Sequence, residues 1–113
     1  MEVGLASGLD LFDATRWFEA HEVLEDAWRH LPKDTTDRHF LQGLIQLAVC
    51  LEHTRRGNPR GAAGQLVKAR AHLAGVPDVW RGVDVRATER AFDGWWSAGA
   101  CLDAAPRPVR QGL

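Results

Sequence analysis

Two stretches of the chain carry polar residues on helix faces that should be apolar. In WFEAHEVLEDAWRHL, residues 17–31, the group His21, Glu22 and Glu25 has types and spacing suited to proton transfer or metal ligation. At about 100° per residue, Trp17, Phe18, Leu24, Glu25 and Trp28 all fall within about 60° of His21. Glu22 and Arg29 lie towards one edge of that face, while Glu19, Asp26 and His30 point away. In the stretch from Arg38 to Arg56, His39, Gln42, Gln46 and His53 fall within about 60° of one another. Phe40, Leu41, Leu44, Ile45, Leu47, Ala48 and Leu51 fill the rest of that helix. A helix apolar nearly all round is buried, so the polar stripe is expected inside. Its evident partners are His21 and Glu25, if the two stripes face each other.

Three chemistries fit this constellation. The first is metal binding. Residues at i and i+4 stack on one helix face, as the ligands of helical zinc motifs do. His21 and Glu25, completed by His53 or His39, would form a two-His, one-carboxylate set for a divalent metal, with Glu22 as a nearby base. A Glu stands where such motifs have their second His. The paired Glu-x-x-His units of ferritin-like sites are missing. The second is a small-molecule or hydrolase-type acid/base site. Glu25 and His21 would be the titrating pair, Gln42 and Gln46 the orienting amides, and Trp17 and Trp28 an apolar wall. The third is structural, a His/Glu/Gln network that selects which helix faces pair. A structural network should be closed, whereas a ligand site should leave His21 or Glu25 lining a pocket.

The elements that must position these residues are helices. The chain has 113 residues, with sixteen Ala and thirteen Leu against fifteen Val, Ile and Thr together; β-branched residues lose rotamer freedom in a helix. One single domain is expected over residues 1–102, with a flexible or extended tail over 103–113. Helices are predicted over about 3–13, 17–31, 38–56, 59–74 and 85–98. Asp13 or Thr15 could cap the second and Thr36 or Asp37 the third. Gly57 would end the third, and Asn58-Pro59 would open the fourth. Residues 75–84 read as a loop anchored by Trp80. Ala20, Leu24, Ala27 and Leu31 recur 42 residues later as Ala62, Leu66, Ala69 and Leu73. That echo suggests two packed antiparallel hairpins, distantly tetratricopeptide-like. Leu24, Trp28, Leu44, Ile45, Ala48, Leu66 and Ala69 are the expected core. Of the adjacent Trp95 and Trp96, one should remain available for a subunit contact.

Composition removes other classes. Fourteen basic residues stand against fifteen acidic ones, for a formal charge of −1; no broad nucleic-acid surface is expected. The longest charge-free apolar run, Phe40 to Leu51, is too short to span a bilayer. The start MEVGLASGLD lacks a basic segment and does not read as a secretory signal. Two cysteines, one inside an apolar helix, fit a reduced, cytoplasmic setting without a disulfide framework.

The blocks FEAHEVLEDAWR (18–29) and LQGLIQLAVCLEHTRRGNPRGA (41–62) resemble the two signature blocks of domain-of-unknown-function family 309. The resemblance covers about residues 9 to 75. It includes His21, Glu22, Glu25, Trp28, Gln42, Gly43, Gln46, His53, Gly57 and Asn58. It implies a small all-helical prokaryotic protein and no established reaction, substrate or cofactor. The expectation is an all-α bundle of about five helices carrying a buried cluster of His21, Glu25, Trp28, Gln42, Gln46 and His53. A structural or interaction role, including a homo-oligomer, is expected first. A small-molecule or metal site using His21, Glu22 and Glu25 is the alternative. No cofactor, nucleic acid or membrane partner is expected.

Overall fold

Side-chain caps and Pro and Gly residues set most of the helix boundaries. The computed structural model describes residues 1–112. It contains α1 (Glu2–Asp13), α2 (Trp17–Arg29), α3 (Thr36–Arg55), α4 (Pro59–Leu73) and α5 (Val85–Ser97). The Thr35 hydroxyl, one residue earlier than expected, accepts from Arg38 N and caps α3. Asn58 Oδ1 accepts from Gly61 N at 3.0 Å and caps α4, with Pro59 at its first position. Asp84 accepts from Ala87 N and caps α5. Neither Asp13 nor Thr15 caps α2, whose N-cap residue is Arg16. Thr15 instead takes φ +61 and turns the chain between α1 and α2.

The helices pack in chain order, α1 on α2, α2 on α3 and α3 on α4. Ala20, Leu24, Ala62, Leu66, Ala69 and Leu73 are buried, and Ala27 and Leu31 are partly buried against them, so the repeated Ala/Leu pattern marks the packed sides of the two hairpins. Close approach depends on missing side chains, most tightly at Gly8 and Gly43. A Cβ on Gly8 would meet Leu24 at 2.5 Å, and one on Gly43 would meet Leu73 at 2.5 Å. From α5, Phe92 joins the core edge-to-face with Phe12, ring centroids 6.2 Å apart. Trp95 is buried and Trp96 half-buried beside it. Of the expected core, Leu24, Leu44, Ile45, Ala48, Leu66 and Ala69 are buried. Trp28 is only partly so, because its ring faces the α2–α3 turn and lies under the Arg38 guanidinium at 4.0 Å.

Helices are not the whole fold. The expected loop at 75–84 contains β1 (Val79–Trp80) and β2 (Val83–Asp84), joined through Arg81 and Gly82 at φ +47 and +79. Two successive positive φ values suit a tight hairpin turn. A third strand, β3 (Val109–Arg110), pairs antiparallel with β2. An all-α description is therefore corrected to a mostly helical fold with a three-stranded sheet, ordered β1-β2-β3. Strands of two residues carry no readable alternation. Their positions come from tertiary contacts: Thr88 Oγ1 accepts from Val109 N at 2.9 Å, and Arg110 pairs with Asp10 and Asp13. Trp80 does anchor its segment, donating through Nε1 to Asp37 Oδ1 at 2.8 Å, and Arg81 holds the same carboxylate. Those bonds hold the Asp37 carboxyl below its ordinary 3.8, with the Arg81 contribution largest and burial opposing it. No helix of the described residues is long and apolar enough to cross a membrane.

Candidate functional site

Helices α2 and α3 run in opposite directions. Trp17, Phe18 and His21 therefore lie beside Val49, Glu52, His53 and Arg56, while Trp28 lies beside Arg38 and Gln42. From Gln42 to His53 the stripe runs over eleven residue steps, roughly 16 Å at about 1.5 Å per residue. That length exceeds a single small site, and the structure divides it into two depressions.

The first is a cleft of about 130 Å³ walled by Trp17, Phe18 and Val49, with His21, Glu52, His53 and Arg56 as its polar lining. His21 is oriented from within α2. Its Nδ1 lies 2.9 Å from the Phe18 carbonyl oxygen, an acceptor only, so Nδ1 carries the proton and donates. Nε2 stands 3.5 Å from Glu25 Oε2, longer than a good hydrogen bond. His53 is oriented from the α3–α4 turn. Gly61 N fixes Asn58 Oδ1 as its acceptor, so Asn58 Nδ2 is the group that donates to His53 Nδ1, at 3.3 Å. His53 Nδ1 is then the lone-pair nitrogen and Nε2 carries the proton. In their neutral forms the two histidines of one cleft are thus held in opposite tautomers. Gly61 is required for this: a Cβ there would lie 2.6 Å from Asn58 Nδ2 and 3.1 Å from His53 Cγ.

Glu52 escaped the sequence reading as a site residue. It is 7% exposed and bonded by Arg55 at 2.9 and 2.5 Å and by Arg56 at 2.7 Å. Those arginines, Arg55 first, hold its carboxyl below the ordinary 4.5 against the opposing effect of burial. The available signal was a Glu followed by Arg at i+3 and i+4 beside an expected site histidine. Arg56 also reaches over the Phe18 ring, 5.7 Å from its centroid.

The expected buried cluster is not assembled as one unit. Glu25 is part-exposed and bonded by Arg29 at 2.6 Å, so its partners stay within α2. Glu22 is exposed and lines a shallow surface with Met1, Val23 and His30 on another side of α2. Among the described residues, no side-chain hydrogen bond joins His21 or Glu25 to Gln42, Gln46 or His53, and the buried Gln46 Oε1 has no partner. The reason is geometric. Facing stripes on antiparallel helices pair end to end, and the Glu25 carboxylate rotates outward to Arg29. No group of three His, Cys, Asp or Glu side chains among the described residues could hold a metal, so His21, Glu25 and His53 are not brought together as a ligand set. Cys50 is buried, and burial pushes its thiol up to about 11; a thiol so placed is no nucleophile.

The second depression, about 230 Å³, is lined by Trp28, Lys33, Asp34, Arg38, His39, Gln42 and His72. His39 was expected on the inward stripe. His39 is instead exposed and turns towards α4, where its Nδ1 lies 3.1 Å from His72 Nδ1. The hairpin turn at Gly57-Asn58 folds residues near 39 back onto the low seventies, and only that pairing unites them.

A family model described as "Domain of unknown function (DUF309)" matches residues 5–65, more than half of the chain. The chain is 50% identical over 52 residues to the "Uncharacterized protein YpuF" of Bacillus subtilis (strain 168), covering 45% of this chain and 29% of that one. It is 33% identical over 69 residues to an "Uncharacterized protein" of Aquifex aeolicus (strain VF5), covering 61% of this chain and 20% of that one. The chain thus spans less than a third of the length of either relative. The matched block holds α2, α3, the Asn58 cap and Gly61, the elements that build the His21/His53 cleft, and the chain belongs to the DUF309 family.

Proposed function

We propose that the chain is a small-ligand binding module whose site is the α2–α3 cleft. The observation that carries this reading is the opposite tautomers of His21 and His53 at one cleft. In the neutral rings His21 has its lone pair at Nε2, on the side of the Glu25 carboxylate, and His53 has its N–H at Nε2; both residues line the cleft walled by Trp17, Phe18 and Val49. A planar ring with an N–H and an acceptor nitrogen complements that pair. Pockets for drug-sized ligands run about 300–1,000 Å³, so a cleft of about 130 Å³ suits one or two rings rather than a cofactor. A purely structural network is less well supported, because among the described residues no side-chain hydrogen bond joins His21 or Glu25 to Gln42, Gln46 or His53. The relatives carry the matched block within much longer chains, which suits a module.

Benzimidazole, which has one N–H and one acceptor nitrogen, is the test probe. Titration followed on the imidazole nitrogens by long-range proton–nitrogen NMR should shift His21 and His53 together, and His53→Ala should abolish binding. Saturable binding that leaves both rings unmoved, or no binding at all, would remove the proposal.

A further inference from the structure

The depression between the α2–α3 turn, α3 and α4 lies apart from the His21/His53 cleft and shares no lining residue with it. Its walls carry Lys33, Arg38, His39 and His72 against a single carboxylate, Asp34. We infer that this depression is a binding site for a doubly charged oxyanion of the phosphate type.

Four observations support the assignment. First, the Arg38 charge is fixed before any ligand arrives. Its Nη1 donates to Leu31 O at 2.7 Å and Trp28 O at 3.4 Å, and its guanidinium stacks on Trp28. A pre-positioned cation spends little ordering entropy on binding. Second, the His39–His72 contact guarantees a donor. Whichever ring gives its Nδ1 proton to the other, one Nε2 carries a proton and the other a lone pair. Third, burial first and the His39 charge second push the His72 pKa down from its ordinary 6.5. Both costs fall on the protonated ring, and an adjacent anion offsets them. Anion binding should therefore take up a proton, making the site tighter at low pH. Fourth, the Gln42 amide and the Trp28 indole also border the depression, and the buried Trp28 Nε1–H has no acceptor among the described residues.

A metal ion is the rival occupant, since the 3.1 Å spacing of the two Nδ1 atoms suits ligands of one ion. Lys33 and Arg38 repel a cation there, and Asp34 does not combine with the two imidazoles into a three-ligand group.

Sulfate is the probe, because it stays dianionic from about pH 5.5 to about pH 8, so any pH dependence belongs to the protein. Calorimetric titration at low ionic strength should show one site, tighter by about tenfold at the lower pH. Lys33→Gln and His72→Gln should each weaken it about fivefold to tenfold, and His72→Gln should also flatten the pH dependence. His39→Gln serves if His72→Gln does not fold, and Arg90→Gln controls for net charge alone. Inorganic phosphate and phenyl phosphate, run in parallel, separate a free ion from a monoester. Three results would overturn the inference: no sulfate binding, equal weakening by Arg90→Gln, or zinc binding lost in His72→Gln and strengthening as pH rises.

Discussion

Substituting Gly61 by Ala tests the central local device of the His21/His53 cleft. The added Cβ would lie 2.6 Å from Asn58 Nδ2, 3.0 Å from Asn58 Cγ and 3.1 Å from His53 Cγ. The Asn58 side chain is the cheapest group to move, and moving it breaks two bonds. Gly61 N loses its cap acceptor, and His53 Nδ1 loses its donor. Loss of an Asn cap costs about 1 kcal/mol, within a range of roughly 0.5–2. Ala in place of Gly returns up to about 0.8–1 kcal/mol in a helix interior, and less in the first turn. Stability alone would then change by about 1 kcal/mol or less, so a comparison is needed. Gly64 lies in the same helix with nothing within 4 Å of its would-be Cβ. Gly64→Ala should give the propensity gain without the clash. The two variants should differ by about 1–2 kcal/mol, or roughly 3–10 °C in Tm for a chain of this size. The imidazole nitrogen spectrum supplies the second assay. His53 should show one tautomer in the native chain and an averaged pair of nitrogen signals in Gly61→Ala. If Gly61→Ala is as stable as Gly64→Ala and leaves the His53 nitrogens unchanged, the Asn58–His53–Gly61 argument fails.

Other expectations follow from the same geometry. Gly43→Ala places a Cβ 2.5 Å from Leu73 in the α3–α4 interface; overpacking there should outweigh helix propensity and cost about 1–2 kcal/mol in chemical denaturation. Glu52 and Asp37 have folded pKa values below their ordinary 4.5 and 3.8. A depressed folded pKa adds stability above the unfolded value, and that stability is lost as pH falls through the folded one. Unfolding midpoints should therefore drop as pH goes below about 4.5, and Glu52→Gln should shallow that slope. With an ellman-type thiol reagent, exposed Cys101 should react promptly and Cys50 only at the rate of opening, because burial keeps its thiol near 11. Two fast equivalents would contradict the packing of α3.

Legibility followed the range of the interaction. Helix ends at Gly57 and Asn58-Pro59 were readable because capping is decided within four residues. The inward faces of α2 and α4 were readable because burial imposes a 3.6-residue period. Trp28 misled, since a large ring on an inward face can still border a depression when the adjoining turn leaves it half covered. Glu25 misled in the same way, because a neighbour one turn away, Arg29, outcompeted the partners across the interface.

The sequence by itself determined the helices, their order, the packed Ala/Leu faces and the family, because these rest on local propensity and on periodic burial. It also singled out His21, Gln42, Gln46 and His53 as polar residues in apolar surroundings. Only the tertiary structure decided how they are divided. The antiparallel run of α2 and α3 assigns His21 and His53 to one cleft and Gln42 and Trp28 to another depression. The α3–α4 hairpin brings His39 to His72 across 33 residues, and the C-terminal strand finds β2 through Thr88 and Arg110. Such pairings depend on the crossing of whole helices, and no window of neighbouring residues contains that information.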